Sequence, residues 1–249
     1  MRFDVVTLFP EIVAQAAYCG VTGRAFETGR ATLKLWNPRD YTSDRHRTVD
    51  DRPYGGGPGM VMKVEPLRAA ILAARKDDTK PPLTVFMSPQ GRVLNQEAVI
   101  RFSSLDRLIL VAGRYEGIDE RLIDLEIDEE WSIGDYVLSG GELPALVLMD
   151  AVLRMLPGVL GHDDSARQDS HMEGLLDYPH YTRPEQVDGL GIPDILQSGH
   201  HEAIRLWRLK QSLGRTWLRR PDLLEKLDLD QQQKRLLDEY AREFSGTRE

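Results

Sequence analysis

The sequence predicts an α/β domain built on a mainly parallel sheet, followed by a smaller helical domain. Three observations carry that prediction. Short apolar runs alternate with helical patterns from Phe3 to about Leu156, the signature of strands joined by crossover helices. Pro157-Gly158 and the stretch Gly161 to Glu173, which has almost no apolar residues, then break the pattern. Beyond Leu175 the composition changes, and helical periodicity returns from about His201.

Phe3 to Phe9 reads as a buried strand, and Pro10 suits the first turn of the helix after it. Ala31 to Trp36 alternates as a second strand. Asn37 to Met62 has little periodicity and ends in Pro53-Tyr54-Gly55-Gly56-Gly57-Pro58-Gly59, which excludes helix or strand. Composition alone makes that a mobile surface loop; its bare backbone could also approach a ligand. It is neither a Walker loop nor a G-x-G-x-x-G turn, since Met60 follows where those patterns need other residues. Glu65-Pro66 opens a helix with Leu67, Ala70, Ile71 and Ala74 on one face. Leu83 to Met87 is a short strand stopped by Ser88-Pro89-Gln90-Gly91. Asn95 caps a helix from Gln96 to Phe102. Leu108 to Ala112 is a strand stopped by Gly113-Arg114-Tyr115-Glu116-Gly117, and a helix runs from Ile118 to about Leu125.

The acidic run Asp128-Glu129-Glu130 leads into Trp131 to Pro144, a half-apolar segment rich in glycine, and an apolar helix leaves it from Glu142 to Leu156. In parallel sheets ligands sit at the carboxyl ends of the strands. The turns after Met87, after Ala112 and through Gly134 to Gly141 therefore converge on one crevice. The domains expected are 1–160, a linker or lid at 161–173, and 174–249.

The totals bound the function. The chain has 249 residues, 41% hydrophobic and 29% charged, ordinary values for a globular protein. No run approaches the roughly 18 apolar residues of a membrane span, and Met1 to Val5 lacks signal-peptide anatomy, so a cytoplasmic protein with no membrane partner is expected. The single Cys19 excludes an internal disulfide and a multi-cysteine metal site. A net charge of −8 argues against nucleic acid, but the charge is uneven. From His200 to Arg220, Arg205, Arg208, Lys210, Arg215, Arg219 and Arg220 stand against one acid, Glu202. Arg205, Arg208, Arg215 and Arg219 share a helical stripe near Trp207 and Trp217, a solvated face or a phosphate-binding one, with Gly214 a candidate interruption. No histidine spacing suits zinc, and no nucleophile elbow is present. His200-His201 reads as a helix start. The residues alone suggest an enzyme acting on RNA without assigning its chemistry.

At Asp128 to Glu142 the sequence closely resembles the family of bacterial tRNA (guanine-N1-)-methyltransferases, within the SPOUT superfamily. The resemblance spans nearly the whole chain, through Thr48 to Met60, Gly113 to Arg121, Pro179 to Pro184 and Gly214 to Arg220. It implies a SPOUT-type α/β fold with a deep trefoil knot, a small helical tRNA-binding domain, and a homodimer with active sites at the subunit interface. It implies S-adenosylmethionine-dependent methylation of N1 of guanosine 37, immediately 3′ of the anticodon. The implied cofactor residues are Phe86, Met87, Ser88 and Pro89; Gly113, Tyr115 and Glu116; and Ser132, Ile133, Gly134, Asp135, Tyr136, Val137, Leu138, Gly140 and Gly141, with Pro144. Asp169 falls at the family's general base and Arg154 at its arginine near the target base. Asp50, Gly55, Gly56, Gly57, Gly59 and Ser165 fall at guanosine-recognising positions, with Asp177 near the substrate; the stripe of Arg205, Arg208, Arg215 and Arg219, read from its spacing, is the surface expected to meet the tRNA. Family members also use magnesium, near Glu116 and Asp169, although no cation site is visible in the sequence. Phe86 and Met87 replace a common tyrosine and leucine, and His171, Tyr178 and His200 also depart from the family. The rival readings are a non-catalytic RNA-binding protein on the same fold and a SPOUT enzyme acting on another nucleotide.

Overall fold

Residues 1–161 and 169–246 are described by the computed structural model, and they form two compact units, Met1–Asp163 and Asp164–Glu249. The expected linker at 161–173 therefore lies partly outside the described residues.

In the first unit the strands β1 (Arg2–Val6), β2 (Thr32–Trp36), β5 (Leu83–Val93), β6 (Arg107–Ala112) and β7 (Glu129–Ser132) make one sheet in the order β2-β1-β6-β5-β7. Every pair is parallel. The intervening helices are α1 (Pro10–Ala17), α2 (Gly20–Glu27), α3 (Val64–Lys76), α4 (Gln96–Ser103), α5 (Glu120–Glu126) and α6 (Glu142–Leu153). A two-residue ladder, β3 (Asp50–Asp51) with β4 (Val61–Met62), closes the glycine-rich segment into a hairpin-like loop.

Parallel strands carry apolar side chains on both faces because helices cover both. Phe3, Val5, Val85, Leu108 and Leu110 join a core with Val13 of α1, Ala25 of α2, Val99 and Phe102 of α4, and Leu148 and Val152 of α6. The alternate residues Val6, Phe86, Ile109 and Val111 join Leu67 and Ile71 of α3 and Leu122 of α5 on the other face. At the amino end of β6, Arg107 is 1% exposed yet fully engaged. Its Nε donates to Asp4 at 2.9 Å, and its other nitrogens donate to the carbonyls of Ala74, Arg75, Asp78 and Lys80. Among the described residues no buried side-chain polar atom lacks a partner.

Two strands differ from expectation. β5 does not stop at Met87 but continues to Val93, with a register shift between Met87 and Arg92, both of which pair with Trp131. The shift leaves Ser88 to Gly91 without a partner in β7, Pro89 with its missing amide among them. Gly91 sits where a Cβ would lie 2.4 Å from the Trp131 amide nitrogen, so only glycine allows the two backbones to meet. Two residues of the acidic run, Glu129 and Glu130, are themselves strand, and the Glu129 carboxylate in β7 accepts from Arg101 and from Trp131 Nε1, at 2.8 and 2.7 Å.

The second unit holds a short hairpin, β8 (Gln186–Val187) with β9 (Leu190–Gly191), then α7 (His201–Arg219), α8 (Pro221–Leu224) and α9 (Gln231–Gly246). His200 caps α7 as expected, its Nδ1 accepting from the Ala203 amide at 3.2 Å. Gly214 does not interrupt α7. It lies where a Cβ would be 2.2 Å from the Tyr240 ring, so the glycine lets α9 pack directly on the α7 backbone.

Candidate active site

At the carboxyl edge of the sheet, the turns after β6 and β7 and the irregular middle of β5 surround one cavity of about 200 Å³. Its wall includes Phe86, Met87, Ser88 and Pro89 from β5; Gly113 to Gly117 from the turn after β6; Trp131 to Gly134 and Tyr136 to Gly141 from the loop after β7; and Pro144 from α6. The three loops meet because glycines let them. A Cβ on Gly141 would lie 2.7 Å from Ala112 Cα, and one on Gly113 would lie 2.8 Å from the Phe86 ring. The Gly141 amide donates to the Gly113 carbonyl at 2.9 Å, which ties the two loops together.

The wall is mostly apolar with a few aimed polar groups, the usual character of a small-molecule site. Its charged members are Arg114 and Glu116. Tyr115 holds the left-handed conformation at φ 60°, unusual for a side chain of its size. Burial, and then the Asp50 carboxylate, push its hydroxyl above the ordinary tyrosine range. Gly134 at φ 146° begins a tight turn closed by the Tyr136 amide on the Gly134 carbonyl, 2.9 Å. Asp135 is the exposed apex of that turn and does not line the cavity, unlike the other expected cofactor residues. An i-to-i+2 turn presents its middle residue outward. Trp131 and Gly117 line the cavity although they fall outside the expected loops.

The glycine-rich loop is strapped to this wall. The Glu116 amide donates to the Met60 carbonyl at 2.9 Å, and the Met62 amide to the Gly117 carbonyl at 3.0 Å. Gly55, Gly56, Gly57 and Gly59 all have positive φ. A Cβ on Gly59 would collide with the Glu116 side chain, 2.3 Å from Oε1. Tyr54, 99% exposed, stands beside these glycines. Asp50 occupies β3, and Arg154 caps the carboxyl end of α6.

A separate cavity of about 520 Å³ lies within the second unit. Asp169, Asp177, Arg205 and Arg208 all line it, with Glu173, Tyr178 and Ser212 and an apolar floor that includes Leu175, Ile204 and Leu209. Residues from the 169–178 segment and from α7, far apart in sequence, thus share one concave surface. Asp177 accepts from its own following amide, Tyr178 N, at 2.8 Å, and its other oxygen meets His180 Nε2 at 2.8 Å. The Arg208 guanidinium stacks on Tyr178 at 4.7 Å. Arg215 and Arg219 continue along α7 beyond this cavity. Ser165 lies outside the described residues. Among the described residues, no group of three or more His, Cys, Asp or Glu side chains is arranged to hold a metal ion, and no helix is long and apolar enough to cross a membrane.

The family model described as tRNA (Guanine-1)-methyltransferase TrmD matches residues 1–226. A tRNA (guanine-N(1)-)-methyltransferase of Methylococcus capsulatus is 68% identical over 244 residues, covering 98% of this chain and 97% of the relative. The protein of the same name from Chromohalobacter salexigens is 63% identical, covering 98% and 93%. That from Aeromonas hydrophila is 60% identical, covering 98% of each. The likeness runs through both compact units, and the chain belongs to the tRNA (guanine-1)-methyltransferase TrmD family.

Proposed function

We propose that the protein methylates N1 of guanosine 37 of tRNA, immediately 3′ of the anticodon, with S-adenosylmethionine as methyl donor. The observation that carries this reading is the end-to-end identity, 60–68%, with chains named for guanine-N1 methylation. The first cavity supports the donor's place. Its apolar wall of Phe86, Met87, Ile133 and Leu138 suits a flat base and a thioether chain, and its bare glycine backbone offers amides and carbonyls to polar atoms. When bound, S-adenosylmethionine supplies a methyl group activated by its sulfonium sulfur, which leaves as a neutral thioether.

The protein's share of the chemistry is proton handling. Neutral guanine carries a proton on N1 that must leave as the methyl arrives, and Asp169 takes it as general base. Arg154 stabilises the negative charge that grows on guanine O6 as the proton departs. Asp50, the Gly55–Gly59 loop, Ser165 and Asp177 hold the guanosine, and Arg205, Arg208, Arg215 and Arg219 hold the tRNA backbone. The 1–160 region is the catalytic domain, with the family's knotted threading, 174–249 binds tRNA, and two copies form the working homodimer.

Asp169→Ala tests the assignment. It is expected to abolish methyl transfer from labelled S-adenosylmethionine while the cofactor titrates calorimetrically as in the wild type. Near-normal turnover would remove Asp169 from the reaction. Light scattering tests the dimer, with a 28.3 kDa particle the contrary result.

A further inference from the structure

We propose that Glu142 is a positioning residue that holds the Arg114 guanidinium and neutralises it at the wall of the first cavity, so that the cavity favours a sulfonium cation over its neutral thioether product. The inference rests on the S-adenosylmethionine reading above.

Glu142 is the first residue of α6 and only 1% exposed, and both of its carboxylate oxygens are used. Oε1 accepts from the Thr7 hydroxyl at 2.8 Å, and Oε2 accepts from Arg114 Nε at 2.9 Å. Arg114 Nη1 donates onward to the Ser139 carbonyl at 3.1 Å, and the guanidinium lies 4.4 Å from the Phe9 ring centroid. Its side chain is pressed against Gly140, where a Cβ would fall 2.2 Å from Arg114 Nε. One buried carboxylate thus joins the turn after β1, the turn after β6 and the loop after β7.

The charge matters as much as the clasp. Among the described residues lining the cavity, Arg114 is the only cation. A permanently charged guanidinium there would repel a sulfonium and leave a thioether indifferent. Glu142 stands directly behind it, and the anion is itself favoured at a helix amino terminus. A purely mechanical clasp would support donor and product equally, because the two differ by one methyl group and its charge. The ratio of their affinities therefore separates the electrostatic role from the structural one.

The experiment measures Kd for S-adenosylmethionine and S-adenosylhomocysteine by calorimetry on the full-length protein. Glu142→Gln keeps the shape and removes the charge. It is expected to weaken the sulfonium ligand about tenfold more than the thioether, the scale of a nearby unit charge at protein dielectric. Arg114→Gln should shift the ratio the opposite way, since Glu142 then stands uncompensated, and the double variant should restore the wild-type ratio. Equal losses for both ligands in Glu142→Gln would overturn the proposal. If that variant does not fold, Arg114→Gln decides by the sign of its shift, and no shift or the reverse sign overturns it. A wild-type protein that binds neither ligand would instead overturn the cofactor reading, and this inference with it.

Discussion

Gly141→Ala adds a single methyl group where two loops that line the first cavity touch. The new Cβ would lie 2.7 Å from Ala112 Cα and 3.0 Å from Gly113 N, both backbone atoms that no rotamer change can move. Carbon atoms pack at about 3.5–4.0 Å, so the loop must retreat from β6 by roughly an ångström. That retreat stretches the 2.9 Å bond from the Gly141 amide to the Gly113 carbonyl. Overpacking costs about 1–3 kcal/mol and a lost backbone hydrogen bond about 0.5–1.5 kcal/mol, or roughly 1.5–4.5 kcal/mol together. Backbone strain adds nothing, because Gly141 has φ −81°, open to any residue. The cost is shared between folding and the cavity that the bond shapes. Calorimetric titration should show S-adenosylmethionine Kd raised at least fivefold, with a lower melting temperature. Gly191→Ala, where a Cβ meets nothing within 4 Å, is the control and should leave both unchanged. If Gly141→Ala binds the cofactor within twofold of the wild type at an unchanged melting temperature, the close approach does not shape the site.

Other consequences are equally open to measurement. Asp4→Ala strands the buried Arg107 guanidinium and should cost about 3–5 kcal/mol, lowering the melting temperature by roughly 6–20 °C; a drop under 2 °C would contradict the pairing. Hydrogen bonds from Arg101, and secondarily from Trp131, hold the Glu129 carboxyl below its ordinary value of 4.5. A depressed carboxylate stabilises the fold above that ordinary value and loses the contribution as pH falls through the depressed one. Glu129→Gln should therefore flatten the melting curve below about pH 4.5, and an unaltered acid limb would rule this out. Gly214→Ala should destabilise the second unit in urea unfolding by about 1–3 kcal/mol through the Tyr240 clash. Arg219→Gln should reduce the salt slope of tRNA binding by about 1 if it meets a phosphate.

Legibility in the sequence followed the range of the forces involved. Apolar periodicity is enough to find β1, β6 and α3, and glycine placement is enough to bring three strand ends to one crevice. Local signals misled where a distant partner decides. Ser88-Pro89-Gln90-Gly91 reads as a stop, yet β5 resumes beyond it because Arg92 pairs again with Trp131. Gly214 reads as a helix breaker until Tyr240 occupies the space it leaves. Glu129 and Glu130 read only as an acidic lead-in until Val85 and Phe86 of β5 pair with them as strand. Arg114 and Glu142, 28 residues apart, carry no spacing signal that would pair them, and Glu142 reads only as a helix start. Asp169 with Arg205 and Arg208 is a similar case, since their shared concavity belongs to the folded second unit. The reaction itself entered through resemblance, because a proton-accepting aspartate has no local pattern.

The position of the transferred methyl group decides the reaction. Unmodified tRNA carrying guanosine at position 37 would be incubated with the protein and labelled S-adenosylmethionine, digested, and its nucleosides identified and mapped. One product, N1-methylguanosine at position 37, is expected from wild type and none from Asp169→Ala. Label on another atom or nucleotide, or equal label from both proteins, would contradict it.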